Sequence, residues 1–201
     1  MIAIIDYGVG NLFSLVSSLK YIGQEVVVTA DKARLARADK LILPGVGAFE
    51  DARAHLRVTK LDQLLIREAA QGKLILGICL GMQMLFEQSL EFGVHEGLGL
   101  LSGVIAPIPP DAEHKIPHMG WNALQFKGKK SPLFKYVNAG DHVYFVHSYH
   151  AEDCEASVIA TAEYGTNVTA AVAHGNVFGA QFHPEKSGTV GLNILRAFAE
   201  L

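Results

Sequence analysis

Four things are scarce or missing in this chain. It has two cysteines, no dense basic stretch beyond Lys127, Lys129 and Lys130, no apolar run long enough to span a bilayer, and no repeat or low-complexity linker. Each absence removes a class of protein. The chain opens on Met1 to Asp6 without a basic leader and meets a charge before a secretory-length apolar segment forms, so a cytoplasmic protein with reduced thiols is expected. A formal charge of −3 with no basic patch argues against nucleic acid or an anionic membrane as partner. The three lysines around Gly128 read as a solvated loop. No Walker A sequence is present, and Gly8-Val9-Gly10 begins a dinucleotide fingerprint whose third glycine is replaced by Phe13. No cofactor is therefore expected. The nine histidines offer no convincing metal ligands. His147 and His150 lie three apart on what reads as one strand, hence on opposite faces, and Pro117 separates His114 from His118.

Half of the residues are hydrophobic, enough for one substantial core, and a single domain over residues 1–201 is expected. Apolar runs at 2–6, 25–29, 41–43 and 74–78 alternate with helical patterns at 12–21, 61–70 and after residue 79. Strands apolar on both faces and separated by helices indicate a parallel sheet covered on both sides. The second half changes character. Runs at 104–108, 142–146, 158–162, 168–173 and 177–182 are joined by short turns and suggest antiparallel hairpins added to that sheet, before a closing helix from about 188 to 198. The fold class is thus α/β, a mostly parallel sheet with flanking helices and an antiparallel extension in the C-terminal half.

The chemistry lies at the end of the fourth apolar run, Leu74-Ile75-Leu76-Gly77-Ile78-Cys79-Leu80-Gly81-Met82-Gln83. A strand delivers one cysteine into a sharp turn between two glycines, and a helical pattern follows. Such a turn needs small neighbours, and it sets the sulfur near the first helical N–H groups, which favour thiolate and await an oxyanion. Far downstream, Phe182-His183-Pro184-Glu185 places a histidine and a carboxylate two apart, on the same side if the chain is extended there. Cys79, His183 and Glu185 are the expected nucleophile, base and orienting group. Cys154 lies between Asp153 and Glu155, an acidic setting that disfavours thiolate, so it reads as structural.

These two motifs, in the order Cys, His, Glu, resemble the class I, or triad, glutamine amidotransferases. Within that family, Asp6-Tyr7-Gly8-Val9-Gly10-Asn11, Pro44-Gly45-Val46-Gly47-Ala48-Phe49, Pro117-His118-Met119-Gly120-Trp121-Asn122 and Tyr144-Phe145-Val146-His147-Ser148-Tyr149 are similar to the glutaminases that serve imidazole glycerol phosphate synthase. The resemblance implies a flavodoxin-like fold and hydrolysis of L-glutamine through a cysteinyl thioester. It also implies a heterodimer in which ammonia passes to a (β/α)₈ synthase subunit. Oxyanion donors would be the N–H groups of Leu80 and Val46; Gly47, Gln83, Glu91, Ser148 and Tyr149 would hold the substrate. Asn11, Trp121, Tyr144 and Lys186 match interface positions, although plain core aromatics are an equal reading of Trp121 and Tyr144. The competing readings are a glutaminase for another synthase such as anthranilate synthase, a non-catalytic metabolite-binding subunit, and a thiol hydrolase on the same fold.

Overall fold

The computed structural model describes residues 1–110 and 112–201. The first half runs β1 (Ile2–Ile5), α1 (Leu12–Tyr21), β2 (Val26–Thr29), α2 (Lys32–Arg37), β3 (Lys40–Leu43), α3 (Phe49–Thr59), α4 (Leu61–Ala70), β4 (Leu74–Ile78) and α5 (Leu80–Gln83). Then follow β5 (Phe86–Ser89), β6 (His95–Glu96), β7 (Leu101–Pro107), β8 (His118–Ala123), β9 (Gln125–Phe126), β10 (His142–His147) and β11 (Tyr149–Glu152). The chain closes with β12 (Val158–Glu163), β13 (Asn167–His174), β14 (Val177–Ala180) and α6 (Gly188–Glu200).

Eight strands form the central sheet in the order β2-β1-β3-β4-β14-β13-β12-β9. The first five are mutually parallel, and β13, β12 and β9 continue antiparallel. Alternate residues of the parallel strands face two separate cores. Ala3, Ile5, Leu41, Leu43 and Ile75 pack with Leu35, Leu56 and Leu65 from α2, α3 and α4. Ile2, Ile4, Ile42, Leu76 and Ile78 pack with Leu15 and Leu19 of α1 and Ile194, Leu195 and Phe198 of α6. Period-two alternation of side chains across a strand makes this three-layer arrangement. In α3 the buried set Phe49, Ala52, Arg53 and Leu56 follows helical spacing.

The structure corrects four local expectations. The run 177–182 does not join the sheet only as a hairpin: β14 is antiparallel to β13 but parallel to β4, because the β13–β14 turn returns the chain along a sheet whose open edge was β4. The strands at 101–107 and 142–147 leave the main sheet for a four-stranded sheet β11-β7-β5-β6 and a two-stranded ribbon β10-β8. The helix after the cysteine is one turn, Leu80–Gln83, before the chain departs into β5. His147 and His150 lie on different strands, β10 and β11, with Ser148 between them. Helices α2 and α3 carry no expectation from the sequence reading; α2 has one buried position, Leu35, and α3 is rich in charge.

Candidate active site

β4 and β14 run in parallel with Ile78 opposite Ala180, so the chain leaves both strands at the same edge, where α/β sheets place their sites. Cys79 emerges there with its N–H donating to the Ala180 carbonyl at 2.7 Å. Its backbone is held at φ 53°, ψ −115°, a region costly for any side chain and persistent only where surroundings impose it. The surroundings are on view. A Cβ at Gly77 would come within 2.6 to 2.7 Å of Gly81 O and the Met82 backbone, and one at Gly81 would overlap the Leu43 carbonyl. The glycines therefore allow the short helical turn to lie directly on the strands, which is the packing the elbow needs.

His183 arrives from β14 through Gln181 and Phe182. Its N–H donates to the Tyr144 carbonyl at 3.0 Å, and its carbonyl accepts from the Ser187 hydroxyl at 2.6 Å, so its backbone is fixed from two sides. Glu185 does not stand on extended chain as the spacing suggested. Pro184–Lys186 is a 3₁₀ turn, whose first position suits the fixed φ of Pro184, and the turn folds the carboxylate back. Glu185 Oε1 then accepts from His183 Nδ1 at 2.8 Å, with both side chains buried. Cys79 is the other side chain that acts on the imidazole, and the two line the same cleft. Burial pulls the His183 pKa down, but hydrogen bonds to Cys79 and Glu185 and their negative charge outweigh it and raise the value to about 9. The ring is thus poised to hold a proton near neutral pH.

Around this pair lies a cleft of about 440 Å³ lined by Cys79, Leu80 and His183 with Val46, Gly47, Gln83, Glu91, Ser148 and Tyr149. Every residue expected at the oxyanion or substrate positions therefore reaches one cavity. Leu80 opens the helical turn, so its N–H has no acceptor within the helix. Gly47 sits at φ +93° with open space where a Cβ would be. Glu91 Oε2 accepts the Phe49 N–H at 2.5 Å, at the first turn of α3. Gln83 Nε2 donates to Tyr149 O and to Gln181 Oε1, each at 3.0 Å.

Asn11, Trp121, Tyr144 and Lys186 gather outside the cleft. Tyr144 faces Trp121 across the ribbon with ring centroids 6.1 Å apart, and Lys186 Nζ lies 5.9 Å from the Tyr144 ring. Asn11 starts α1, which packs on the 3₁₀ turn holding Lys186. Trp121 is 56 % exposed and Tyr144 half-buried, so the core reading of these aromatics fails. Both cysteines are free and buried. Cys154 is raised to about 11, by burial first, with a Thr169 hydrogen bond opposing and the flanking carboxylates adding less than burial does.

Three residues that support the cleft from outside its lining escaped the sequence reading. Gln181 is wholly buried and donates to the Cys79 sulfur at 3.8 Å, yet in sequence it looks like an interruption of an apolar run. Tyr7 donates to the Pro44 carbonyl at 2.7 Å and so anchors the loop that carries Val46. Its hydroxyl pKa is pushed up by burial and then by the nearby Cys79 sulfur. His118 meets His147 across the ribbon, a pairing visible only once the register is known.

Residues 3–200 match the family model described as glutamine amidotransferase class-I. Over the whole chain the sequence is 52 % identical to imidazole glycerol phosphate synthase subunit HisH of Bacillus velezensis, covering 96 % of that protein. It is 48 % identical to the subunit of the same name from Bacillus subtilis, covering all of this chain and 96 % of the relative. Among solved structures, a glutamine amidotransferase superimposes with a TM-score of 0.77 at 20 % identity, over 100 % of this chain and 98 % of that one. A chain of PurLQS from Thermotoga maritima gives 0.74 at 23 % identity, over 99 % and 97 %.

Proposed function

The chain belongs to the class-I glutamine amidotransferases, and from that premise we propose that it is the glutaminase subunit of an imidazole glycerol phosphate synthase. The observation that carries this reading is His183 held by a Glu185 carboxylate 2.8 Å away and electrostatically coupled to the Cys79 sulfur, at the adjoining ends of two parallel strands and in one cleft of amino-acid size.

In this mechanism the Cys79 sulfur attacks the side-chain carbonyl carbon of glutamine. His183 passes a proton to the departing ammonia, and a thioester remains on Cys79. The same imidazole then takes a proton from water, which attacks the thioester and releases glutamate. Glu185 holds the ring in orientation and supports its charged form. The oxyanion of each tetrahedral intermediate is met by the N–H groups of Leu80 and Val46. Glu91 supplies a carboxylate for the substrate α-ammonium group, while Gly47, Gln83, Ser148 and Tyr149 close around the rest. The face formed by Asn11, Trp121, Tyr144 and Lys186 docks a (β/α)₈ synthase subunit. That subunit takes the ammonia and yields imidazole glycerol phosphate and aminoimidazole carboxamide ribotide in histidine biosynthesis. No helix among the described residues is long and apolar enough to cross a membrane. A single-domain chain working in the cytoplasm, where Cys79 stays reduced, completes the proposal.

Cys79→Ala in the assembled complex tests it. Glutamine-dependent synthesis should vanish while synthesis from supplied ammonia continues, since the triad only makes ammonia. Loss of both activities with the complex intact would overturn the assignment.

A further inference from the structure

Beside Ser148 and Tyr149 in the cleft lining stands His147, with His118 behind it, and these two histidines, which the mechanism does not use, are joined by a chain of hydrogen bonds whose proton positions can be read off one by one. His147 Nδ1 lies 2.8 Å from the Tyr149 carbonyl, which can only accept, so Nδ1 carries the proton. In a neutral ring Nε2 is then bare. It lies 3.0 Å from His118 Nδ1, which must donate. His118 Nε2 is bare in turn and accepts from Asn122 Nδ2 at 3.3 Å. The Asn122 amide is held in that orientation, because its oxygen accepts the Ala123 N–H at 2.8 Å and its nitrogen also donates to the Glu163 carbonyl at 2.7 Å. A proton added to either ring would point one donor at another.

The pair is buried, His118 lying between the rings of Phe145 and Tyr164 at centroid distances of 4.6 and 4.0 Å. The titratable groups facing it are His114 beside His118, and His150 and His183 beside His147; Glu152 lies beyond, against His150. Burial lowers His118 to about 4 and His147 to about 3, and the neighbouring imidazoles act in the same direction, against the Tyr149 hydrogen bond at His147. The Tyr149 carbonyl also accepts from Gln83 Nε2, and Gln83 leads through Gln181 to the Cys79 sulfur. One carbonyl thus carries both the histidine pair and the amide chain of the nucleophile.

We propose that His147 and His118 are positioning residues: a buried, uncharged pair with both protons on Nδ1 that sets the Ser148–Tyr149 wall against which glutamine binds. The inference rests on the glutaminase reading and deepens it.

Two substitutions separate the ends of the His147 ring. His147→Asn keeps a donor where Nδ1 was and loses the link to His118, whereas His147→Gln keeps an acceptor toward His118 and loses the donor to Tyr149. Steady-state glutamate release by chains assembled with the synthase subunit is the assay, with thermal melts confirming that each variant is folded. His147→Gln should raise the KM for glutamine about tenfold, the share of one hydrogen bond, with kcat changed less than about threefold. His147→Asn should return KM to within about threefold of the wild type. Equal KM values for the two variants, or a loss confined to kcat, overturn the inference. The ¹⁵N imidazole spectrum of the wild-type complex gives a readout without turnover. Both rings should report Nδ1–H and stay uncharged at pH ~6; an Nε2–H or charged ring at either position refutes the proposal. Absence of any turnover in the wild-type complex would overturn the glutaminase reading itself, which the comparison of variants leaves untouched.

Discussion

Replacing Glu185 by glutamine removes a charge from a hydrogen bond that is 2.8 Å long and has both side chains buried. The amide can keep an oxygen toward His183 Nδ1 only by placing its nitrogen at the position of Glu185 Oε2, which has no hydrogen-bond partner among the described residues. The contact survives in shape, and its ionic part is lost. A hydrogen bond to a charged group is worth ~1.5–3 kcal/mol, and at 1.36 kcal/mol per tenfold the expected fall in kcat/KM is ~10- to 150-fold. The loss should stay smaller than that of His183→Ala, which removes the proton carrier itself. The pH profile gives a sharper signature. Burial lowers the His183 pKa, and the Cys79 sulfur and Glu185 together lift it to about 9. With one of the two supports gone, the alkaline limb of kcat/KM must move down toward the ordinary imidazole value of about 6.5. Stability follows the same sign. A histidine raised from 6.5 to about 9 on folding contributes fully below 6.5 and loses that contribution as pH rises through about 9. Glutamate release measured across the pH range, beside urea melts at its two ends, reads both effects. An alkaline limb that stays where it is, or a rate loss matching His183→Ala, would refute the reasoning.

A glutamine-derived electrophile should label Cys79 and spare Cys154, whose thiol is raised to about 11 by burial; peptide mapping decides, and label mainly on Cys154 would overturn the assignment. Gly81→Ala should destabilise the chain near the upper end of ~1–3 kcal/mol, because its Cβ meets the Leu43 carbonyl, and a thermal melt unchanged from wild type would contradict that packing. Gly47→Ala meets no atom within 4 Å but sets a side chain at φ +93°, so it should cost the ~1 kcal/mol of backbone strain alone and destabilise less than Gly81→Ala. If the Val46 peptide must turn to complete the oxyanion site, the lone chain should turn over ~10²- to 10³-fold slower than the docked one. Gly47→Ala should then weaken activation by the synthase subunit more than it weakens binding in a titration, and a lone wild-type chain as fast as the complex would end that idea.

The residues proposed for the chemistry could be picked out of the sequence because each is announced by its immediate neighbours. Gly77 and Gly81 around Cys79 say that the chain turns where a side chain cannot fit, and the space around them in the fold is as tight as that requires. His183 and Glu185 are close in sequence, so their pairing needed only a local turn, although the turn is 3₁₀ where extended chain was expected. The alternation of apolar runs with helices likewise specified a parallel sheet, because a strand buried on both faces cannot afford polar alternation. What no local pattern contains is which strand lies beside which. The parallel seating of β14 on β4 puts Gln181 against Cys79, and the β8–β10 register sets His118 on His147 and Trp121 on Tyr144 in the open. Tyr7 and Gln181 gain their roles from neighbours brought across 37 and 102 positions of chain. Sequence decided the local chemistry through short-range sterics and spacing; tertiary structure decided its company, because a strand's partners are fixed by the burial and hydrogen bonding of the whole sheet.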